Sequence, residues 1–225
     1  MDTILILLII IIPLLAQLKI QSSYNRYKRV ENSKKKSGFE VAREILDKNG
    51  LEDIYIVEIK GELTDHYDPT KKVVRLSTDI FHGETIAAAA VAAHECGHAI
   101  QDKVGYKFLR FRHAFIPTVN ICSKLGYFVV MIGLLFGSFH LAMAGFILLC
   151  TILIFQLVTL PVEFNASHRA KKELVNLNLV DSKDASGVKS MLFTAAMTYV
   201  ASVANTLLQM LRMLLIILGN NRRDD

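Results

Sequence analysis

The 225-residue sequence contains few cysteines. There are three, Cys96, Cys122 and Cys150, so they cannot all pair with one another, and two of them lie inside long apolar runs. A disulfide framework that uses every cysteine is therefore excluded. We expect the three thiols to be reduced and packed, in a protein that faces the cytoplasm.

The N-terminus lacks the positive charges that open a secretory signal peptide. Asp2 is acidic, and the first basic residue, Lys19, comes after the apolar run Thr3–Leu18 rather than before it. A cleaved signal peptide has a basic start, an apolar middle and a small-residue cleavage site. The sequence therefore predicts an uncleaved membrane anchor.

The basic residues lack the interleaved aromatic residues on which nucleic-acid bases stack. The chain carries a net charge of +5, and its densest charge, YNRYKRVENSKKK, directly follows the N-terminal apolar run. A basic segment in that position is typical of contact with anionic lipid headgroups. We therefore expect the lipid bilayer, and no nucleic acid, as a partner.

Hydrophobic residues make up 52% of the chain, and they are gathered in runs that fit a bilayer better than a globular core. About 20 apolar residues span the hydrocarbon of a membrane as a helix. Four runs qualify to differing degrees, and the second and third are separated by SFH, which predicts a tight helical hairpin. The runs are Thr3–Leu18, Phe115–Gly137, Leu141–Leu160 and Met191–Leu218.

The distribution of basic residues predicts how the chain is oriented in the membrane. Of the 26 lysines and arginines, 16 lie between Gln21 and His113, and none lies in the SFH turn. Segments rich in lysine and arginine stay in the cytoplasm. We therefore expect a multi-pass protein of the bacterial plasma membrane, with its N-terminus outside and residues 21–113 in the cytoplasm.

Between the first two apolar runs the sequence predicts a small domain of helices and strands. Apolar residues at helical spacing predict helices over Gly38–Asn49 and Thr85–Lys103. The alternating, β-branched stretch Ile54–Lys60 predicts a strand, and the turn residues DPT predict a hairpin between Leu63–Tyr67 and Lys72–Leu76. The fold class is therefore mainly α: about four transmembrane helices with a small α+β domain.

The second predicted helix of this domain is rich in alanine and then carries the sequence His-Glu-Cys-Gly-His at residues 94–98. His94 and His98 are four residues apart, so both imidazoles project from one face and can bind a single zinc ion. Glu95 is placed to take a proton from a zinc-bound water that attacks a carbonyl. Cys96 points off this face, and Gly97 would permit close approach of another backbone. The pattern predicts a zinc hydrolase.

A catalytic zinc site needs a third protein ligand, which leaves the fourth position for water. The metzincin continuation is absent, since Gln101 and Val104 stand where its glycine and histidine would be. Glu163 is favoured, because a hairpin of two spans returns the chain to the side it left; the sequence EFNASHRAKKEL from Glu163 is typical of a helix start. The remaining candidates are Asp102, His66, His82, His113 and His168.

Four motifs together resemble one known family. The stretches LTDHYDPTKKVVRLS, VAAHECGHAIQ, LPVEFNASHRA and AAMTYVA look like the YugP family of bacterial membrane zinc metallopeptidases, which is more distantly similar to the gluzincin-type HtpX and Ste24 groups. The resemblance implies a peptidase with one catalytic zinc ion, His94, His98 and Glu163 as ligands and Glu95 as the base. Protein or peptide substrates are the implied partners.

The same resemblance implies roles for residues around the zinc. In the gluzincin-like relatives an aspartate follows the glutamate ligand by four residues, whereas Ser167 stands there in this chain. The relatives' edge strand pairs with extended substrate, which would make Thr64, Asp65, His66 and Tyr67 the substrate-binding strand. His168 and Tyr199 are further candidates for supporting a ligand or stabilising an oxyanion, although a surface histidine and an interfacial tyrosine are the plainer readings.

The sequence thus predicts a membrane zinc endopeptidase, with two alternatives from other classes. A catalytically inactive protein could use zinc as a structural clasp, although it would have no need of Glu95. A transporter or scaffold is a poor fit, because the chain lacks repeated halves and intramembrane acids. Oligomeric state is not predicted. The expected parts are an anchor (1–20), a cytoplasmic zinc-peptidase domain (21–113), a transmembrane hairpin (114–160), a cytoplasmic segment with the third ligand (161–190), and a last transmembrane helix and tail (191–225).

Overall fold

The computed structural model describes the backbone of residues 2–224 and the side chains of residues 2–220. Its architecture is mainly helical with a small sheet, as the sequence predicts. The helices are α1 Asp2–Tyr27, α2 Gly38–Lys48, α3 Thr78–His82, α4 Ile86–Lys103, α5 Lys107–Leu135, α6 Phe139–Asn176 and α7 Ala185–Asp224. The strands are β1 Tyr55–Ile59, β2 His66–Asp68 and β3 Val73–Ser77.

The chain divides into two compact units. One, the apolar unit, comprises Met1–Ala16, Arg110–Pro161 and Thr198–Asp225. The other, the α+β unit, comprises Gln17–Leu109 and Val162–Met197. The four long helices α1, α5, α6 and α7 each contribute residues to both units.

Among the described residues, four helices are long and apolar enough to cross a membrane, which agrees with the four candidate spans that the sequence predicts. They are α1, α5, α6 and α7, and their most apolar windows have mean hydropathies of 2.6, 1.6, 2.5 and 1.7. The prediction of a helix start at Glu163 is wrong, because α6 runs without interruption from Phe139 to Asn176 and contains Pro161. A proline within a helix removes one hydrogen bond and can bend the helix without ending it.

The three strands form a sheet in the order β1-β3-β2. The predicted hairpin is confirmed, since β2 pairs antiparallel with β3, while β1 pairs with β3 in parallel. β2 starts later than predicted, at His66, because Leu63 has a positive φ of 56°, which an extended strand does not accommodate. The short helix α3 follows β3 directly and was not predicted.

The core of the α+β unit is built around α4. Four consecutive alanines, residues 87–90, are fully buried, so this helix is enclosed on all sides over its first turns. Only small side chains allow neighbouring elements to approach a helix from every direction. The helix α2 and the strands supply the larger apolar groups, among them Ile45, Leu46, Val74 and Leu76. The alanine run therefore marks a central helix.

Candidate metal centre

Three potential metal ligands meet within the α+β unit. His94 and His98 lie one turn apart on α4, and Glu163 lies on α6. The Nε2 atoms of His94 and His98 lie 3.3 Å and 3.4 Å from the same Glu163 oxygen, Oε2. One ligand atom from each residue lies within 4.8 Å of the others. The Glu163 side chain is only 2% exposed, so this charge is buried beside the two rings.

The spacing of these donor atoms fits zinc. Two donors that each lie about 2.0–2.1 Å from a tetrahedral ion are separated by about 3.3 Å. Charge-assisted hydrogen bonds between nitrogen and a carboxylate are shorter, at about 2.7–2.9 Å. The separations of 3.3 Å and 3.4 Å therefore correspond to donors that surround an ion better than to direct bonds. Two imidazoles and one carboxylate are also a donor set that zinc prefers.

Each imidazole has its second nitrogen occupied by a neutral partner. His98 Nδ1 lies 3.0 Å from Gln101 Oε1, and His94 Nδ1 lies 3.2 Å from Ser167 Oγ. A partner on Nδ1 fixes the rotation of the ring and, where it accepts the Nδ1 proton, leaves Nε2 with a lone pair for a metal. Both rings consequently direct Nε2 towards Glu163.

Charge dominates the environment of His98. Burial lowers the pKa of this imidazole, but the contact and charge of Glu163, the charge of Glu95 and the hydrogen bond with Gln101 together raise the pKa above its usual value. The site therefore attracts a positive charge between the two helices. A metal cation satisfies this attraction with the imidazoles neutral.

Glycine on α4 allows α4 and α6, which carry the three candidate ligands, to approach closely. A Cβ atom added to Gly97 would lie 2.6 Å from the carbonyl oxygen of Ala166 on α6. That separation is too short for any side chain, so the role predicted for Gly97 is observed. On α4, Gly97 lies between His94 and His98 in the sequence. On α6, Ala166 lies three residues after Glu163, so the close contact is next to all three candidate ligands.

Glu95 and Cys96 occupy different surroundings on α4. Glu95 is 7% exposed, and its charge acts on both His98 and Asp65. Cys96 is fully buried, and its Sγ donates to the carbonyl oxygen of Ala42 at 3.6 Å. Burial raises the pKa of the Cys96 thiol, so the sulfur is protonated and packed.

Only two of the four residues predicted as a substrate-binding strand lie in a strand. His66 and Tyr67 lie in β2, which is an edge of the sheet, whereas Thr64 and Asp65 precede it. Asp65 turns towards β3 and accepts hydrogen bonds from the backbone and side chain of Ser77 at 2.7 Å and 3.0 Å. The Tyr67 hydroxyl donates to Asp102 Oδ2 on α4 at 3.1 Å, which ties β2 to the helix that carries the histidines.

The other candidates are distributed over α3, β2, α6 and α7. His168 is exposed on α6, and Tyr199 lies on α7 in the apolar unit. His82 pairs with Glu58, and His66 bonds to the carbonyl oxygen of Thr64. Within the described part of the chain, the group that could hold an ion consists of His94, His98 and Glu163. The roles suggested for His168 and Tyr199 stay predictions.

Two residues that contact the ligands were not assigned a role from the sequence. Gln101 was considered only as a departure from the metzincin pattern, and Ser167 only as a departure from an aspartate. Their positions carry a usable signal, because Gln101 lies three residues after His98 and Ser167 lies four residues after Glu163 on continuous helices. Residues at these spacings share a helix face.

Comparison with protein families provides a match over nearly the whole chain. Residues 2–218 match the family described as "Putative neutral zinc metallopeptidase". The chain belongs to this family. The zinc in that description agrees with the donor set of His94, His98 and Glu163, and the extent of the match covers both units.

A curated relative of this family member has a similar length. The chain is 44% identical over 210 residues to the "Putative membrane protease YugP" of Bacillus subtilis (strain 168), covering 93% of this chain and 92% of the relative. No solved structure matches the chain. The match supports a membrane protease of the YugP family, as the sequence motifs indicate.

Proposed function

We propose that this protein is a membrane-embedded zinc endopeptidase in which His94, His98 and Glu163 hold one zinc ion and Glu95 is the catalytic base. The observation that carries the proposal is the convergence of both Nε2 atoms on one buried carboxylate oxygen, at zinc-compatible separations of 3.3 Å and 3.4 Å. Membership of a zinc metallopeptidase family supports the same conclusion.

The chemistry divides between the ion and the chain. When bound, zinc polarises a carbonyl and makes a coordinated water more acidic. The Glu95 carboxylate takes a proton from the water whose oxygen attacks the peptide carbonyl, and it then gives this proton to the nitrogen that leaves when the peptide bond breaks. The low exposure of Glu95 keeps bulk water from competing for this proton.

Substrate would bind along the edge of the sheet. β2 pairs with β3 on one side only, so its other edge has backbone groups available to an extended peptide. The Tyr67–Asp102 hydrogen bond would hold that edge against α4. The pairing explains how a peptidase could accept many sequences, because it uses the backbone of the substrate. Thr64 and Asp65 would contact the segment next to the paired region.

The active site would face the cytoplasm of a bacterial cell, with the four long helices in the plasma membrane. The support comes from charge, since 16 of the 26 basic residues lie between Gln21 and His113. Proteins or peptides that reach this membrane face would be the substrates.

The proposal is tested by comparing wild type with Glu95→Gln, purified in detergent and both shown to contain zinc. We expect wild type to cleave an unfolded test protein and Glu95→Gln to lose at least about 100-fold in rate, as removal of a general base does. Glu84→Gln is the matched control, because it makes the same chemical change at an exposed residue before α4. Equal cleavage by both enzymes would exclude Glu95 as the base. If both bind zinc and neither cleaves, the ion acts as a structural clasp.

A further inference from the structure

We propose that Gln101 is a positioning residue that orients His98 and fixes the distance between the two ligand-bearing helices. The inference rests on the proposed function, since it concerns the same metal centre. Gln101 is fully buried, and its side chain contacts a ligand on its own helix and two groups on α6.

The surroundings of Gln101 determine which way its amide points. Its Nε2 group donates to the carbonyl oxygen of Val162 at 2.8 Å and to Asn165 Oδ1 at 3.0 Å. The Val162 carbonyl can only accept, so the NH₂ group must face α6. Asn165 Oδ1 is oriented in turn, because it also accepts from Arg169 Nε at 2.8 Å. The Gln101 oxygen is therefore left to face His98.

The orientation of the Gln101 amide determines that His98 carries a proton on Nδ1. Gln101 Oε1 is only an acceptor, so His98 Nδ1, at 3.0 Å, must carry the proton that it donates. In a neutral imidazole this leaves the lone pair on Nε2, the atom that lies 3.4 Å from Glu163 Oε2. Arg169, Asn165, Gln101 and His98 thus form one chain of hydrogen bonds that ends at the metal site.

The same side chain joins α4 to α6 beside Glu163. Val162 immediately precedes Glu163, and its carbonyl oxygen is the acceptor of the shorter Gln101 bond. Two of the ligands are on α4 and the third is on α6, so the donor separations depend on how these helices are held together. The Gly97 contact limits their closest approach, and the Gln101 bonds oppose their separation.

The side chain at this position needs one acceptor and two donors, and only an amide offers both. Gln101→Met keeps the length and approximate volume but removes all three hydrogen bonds. Gln101→Glu keeps an acceptor for His98 and replaces the NH₂ group with oxygen, which then faces the Val162 carbonyl. The two variants separate orientation of the ligand from simple packing.

The experiment measures zinc affinity by competition with a chromophoric chelator, using full-length protein in detergent. We expect Gln101→Met to bind zinc about 10–100-fold more weakly than wild type, as loss of a ligand's hydrogen-bond partner does. Gln101→Glu is expected to bind zinc more tightly than Gln101→Met, because His98 keeps its acceptor. The absorption spectrum of the cobalt-substituted protein should change in the methionine variant, since the ring of His98 is released. Cys96→Ala is the matched control, being fully buried on the same helix but directed at Ala42.

A packing role predicts the opposite order, because methionine fills the buried space while a carboxylate against Val162 destabilises it. Unchanged zinc affinity in Gln101→Met, or weaker binding by Gln101→Glu than by Gln101→Met, overturns the inference. If neither variant folds, Asn165→Ala is measured instead. We expect its zinc affinity to be several-fold lower than that of wild type, and an unchanged zinc affinity would overturn the inference. His94→Ala is measured in parallel. Should wild type bind no zinc that depends on His94, the proposed function fails, whereas a zinc site insensitive to Gln101 refutes only its positioning role.

Discussion

Ser167 stands four residues after Glu163, where the resemblance to gluzincin-type proteases implies an aspartate. Here the Ser167 hydroxyl contacts His94 Nδ1 at 3.2 Å, and the other imidazole contacts the amide oxygen of Gln101. Neither partner is charged. The anion in contact with both histidines is Glu163. A carboxylate partner would make the imidazole a more basic ligand.

Substitutions of Ser167 should change zinc affinity according to the partner that they leave for His94. Ser167→Ala removes the partner of His94, and we expect about 10-fold weaker zinc binding. Ser167→Asp supplies a carboxylate at the same position, and we expect tighter binding than in the alanine variant. Chelator competition measures both. If the alanine and aspartate variants bind zinc equally well, the hydroxyl does not support His94.

Asp65 provides a test through pH. Burial raises the pKa of this carboxyl and the charge of Glu95 adds to the effect, while hydrogen bonds from Ser77 oppose it. Because the folded-state pKa lies above the unfolded value of about 3.9, the unfolded chain ionises first as pH rises. Ionisation of Asp65 therefore lowers stability from about pH 4 upward, until the folded-state pKa is passed.

Asp65→Asn removes this dependence and keeps an oxygen that accepts from Ser77. We expect the stability of the variant relative to wild type to be greater at pH 7 than at pH 4. Thermal unfolding of both proteins at the two pH values measures the difference. A difference that is the same at both pH values would mean that Asp65 titrates alike in the folded and unfolded chains.

At the scale of elements, the sequence specifies α4 and the hairpin well and the ends of the elements less well. HECGH and the alanines before it predict α4, because the two histidines are one helical turn apart and alanine has the highest helix propensity. The end of an apolar run indicates where lipid contact ends, which differs from where a helix ends. The end of the third apolar run therefore did not show that α6 continues through Glu163 to Asn176. α3 has only five residues, too few for a periodic pattern to be recognised.

The sequence predicts the candidate ligands better than it predicts the residues that contact them. The position of Glu163 was favoured by the return of a two-span hairpin, an argument that needs only the order of elements. Contacts of Gln101 with Val162 and Asn165 depend on the distance between α4 and α6, which pattern alone does not give. Gly97 was recognised as a point of close approach, but its neighbour Ala166 was not.

The packing of α4 against α6 should be sensitive to one methyl group. Gly97→Ala places a Cβ atom 2.6 Å from the Ala166 carbonyl oxygen, so the helices must move apart. We expect about 1–3 kcal/mol lower stability, as overpacking usually causes, together with weaker zinc binding because the ligands are divided between these helices. Thermal unfolding and chelator competition measure the two effects.

Gly219→Ala is the matched control for this substitution. Gly219 lies in α7, and an added Cβ atom would meet nothing within 4 Å. Alanine favours a helix over glycine by roughly 0.5–1 kcal/mol, so this control should not lose stability. Unchanged stability and zinc affinity in Gly97→Ala would show that the helices can separate without disturbing the site.

At the scale of the molecule, the apolar helices carry polar groups whose partners differ. The side chains of Thr194 and Ser202 donate to carbonyl oxygens one turn earlier on α7, so these hydroxyls are satisfied within their own helix. Arg212 instead pairs with Asp2 of α1 at 2.8 Å. That ion pair joins the first and last helices of the apolar unit.

The charge asymmetry of the chain predicts an orientation in the membrane that can be tested directly. The segment between α1 and α5 contains most of the basic residues, whereas the connection between α5 and α6 contains none, which predicts that they lie on opposite sides of the membrane. Single cysteines at Glu52 and His140, both exposed, report on the two sides in a protein whose three native cysteines are replaced by alanine. We expect a membrane-impermeant maleimide to label His140→Cys in intact cells and Glu52→Cys only after lysis, with zinc binding of both proteins as the control for folding. Labelling of Glu52→Cys in intact cells would place the α+β unit outside and would overturn the proposed cytoplasmic location, because the basic residues that favour retention in the cytoplasm would then have been translocated.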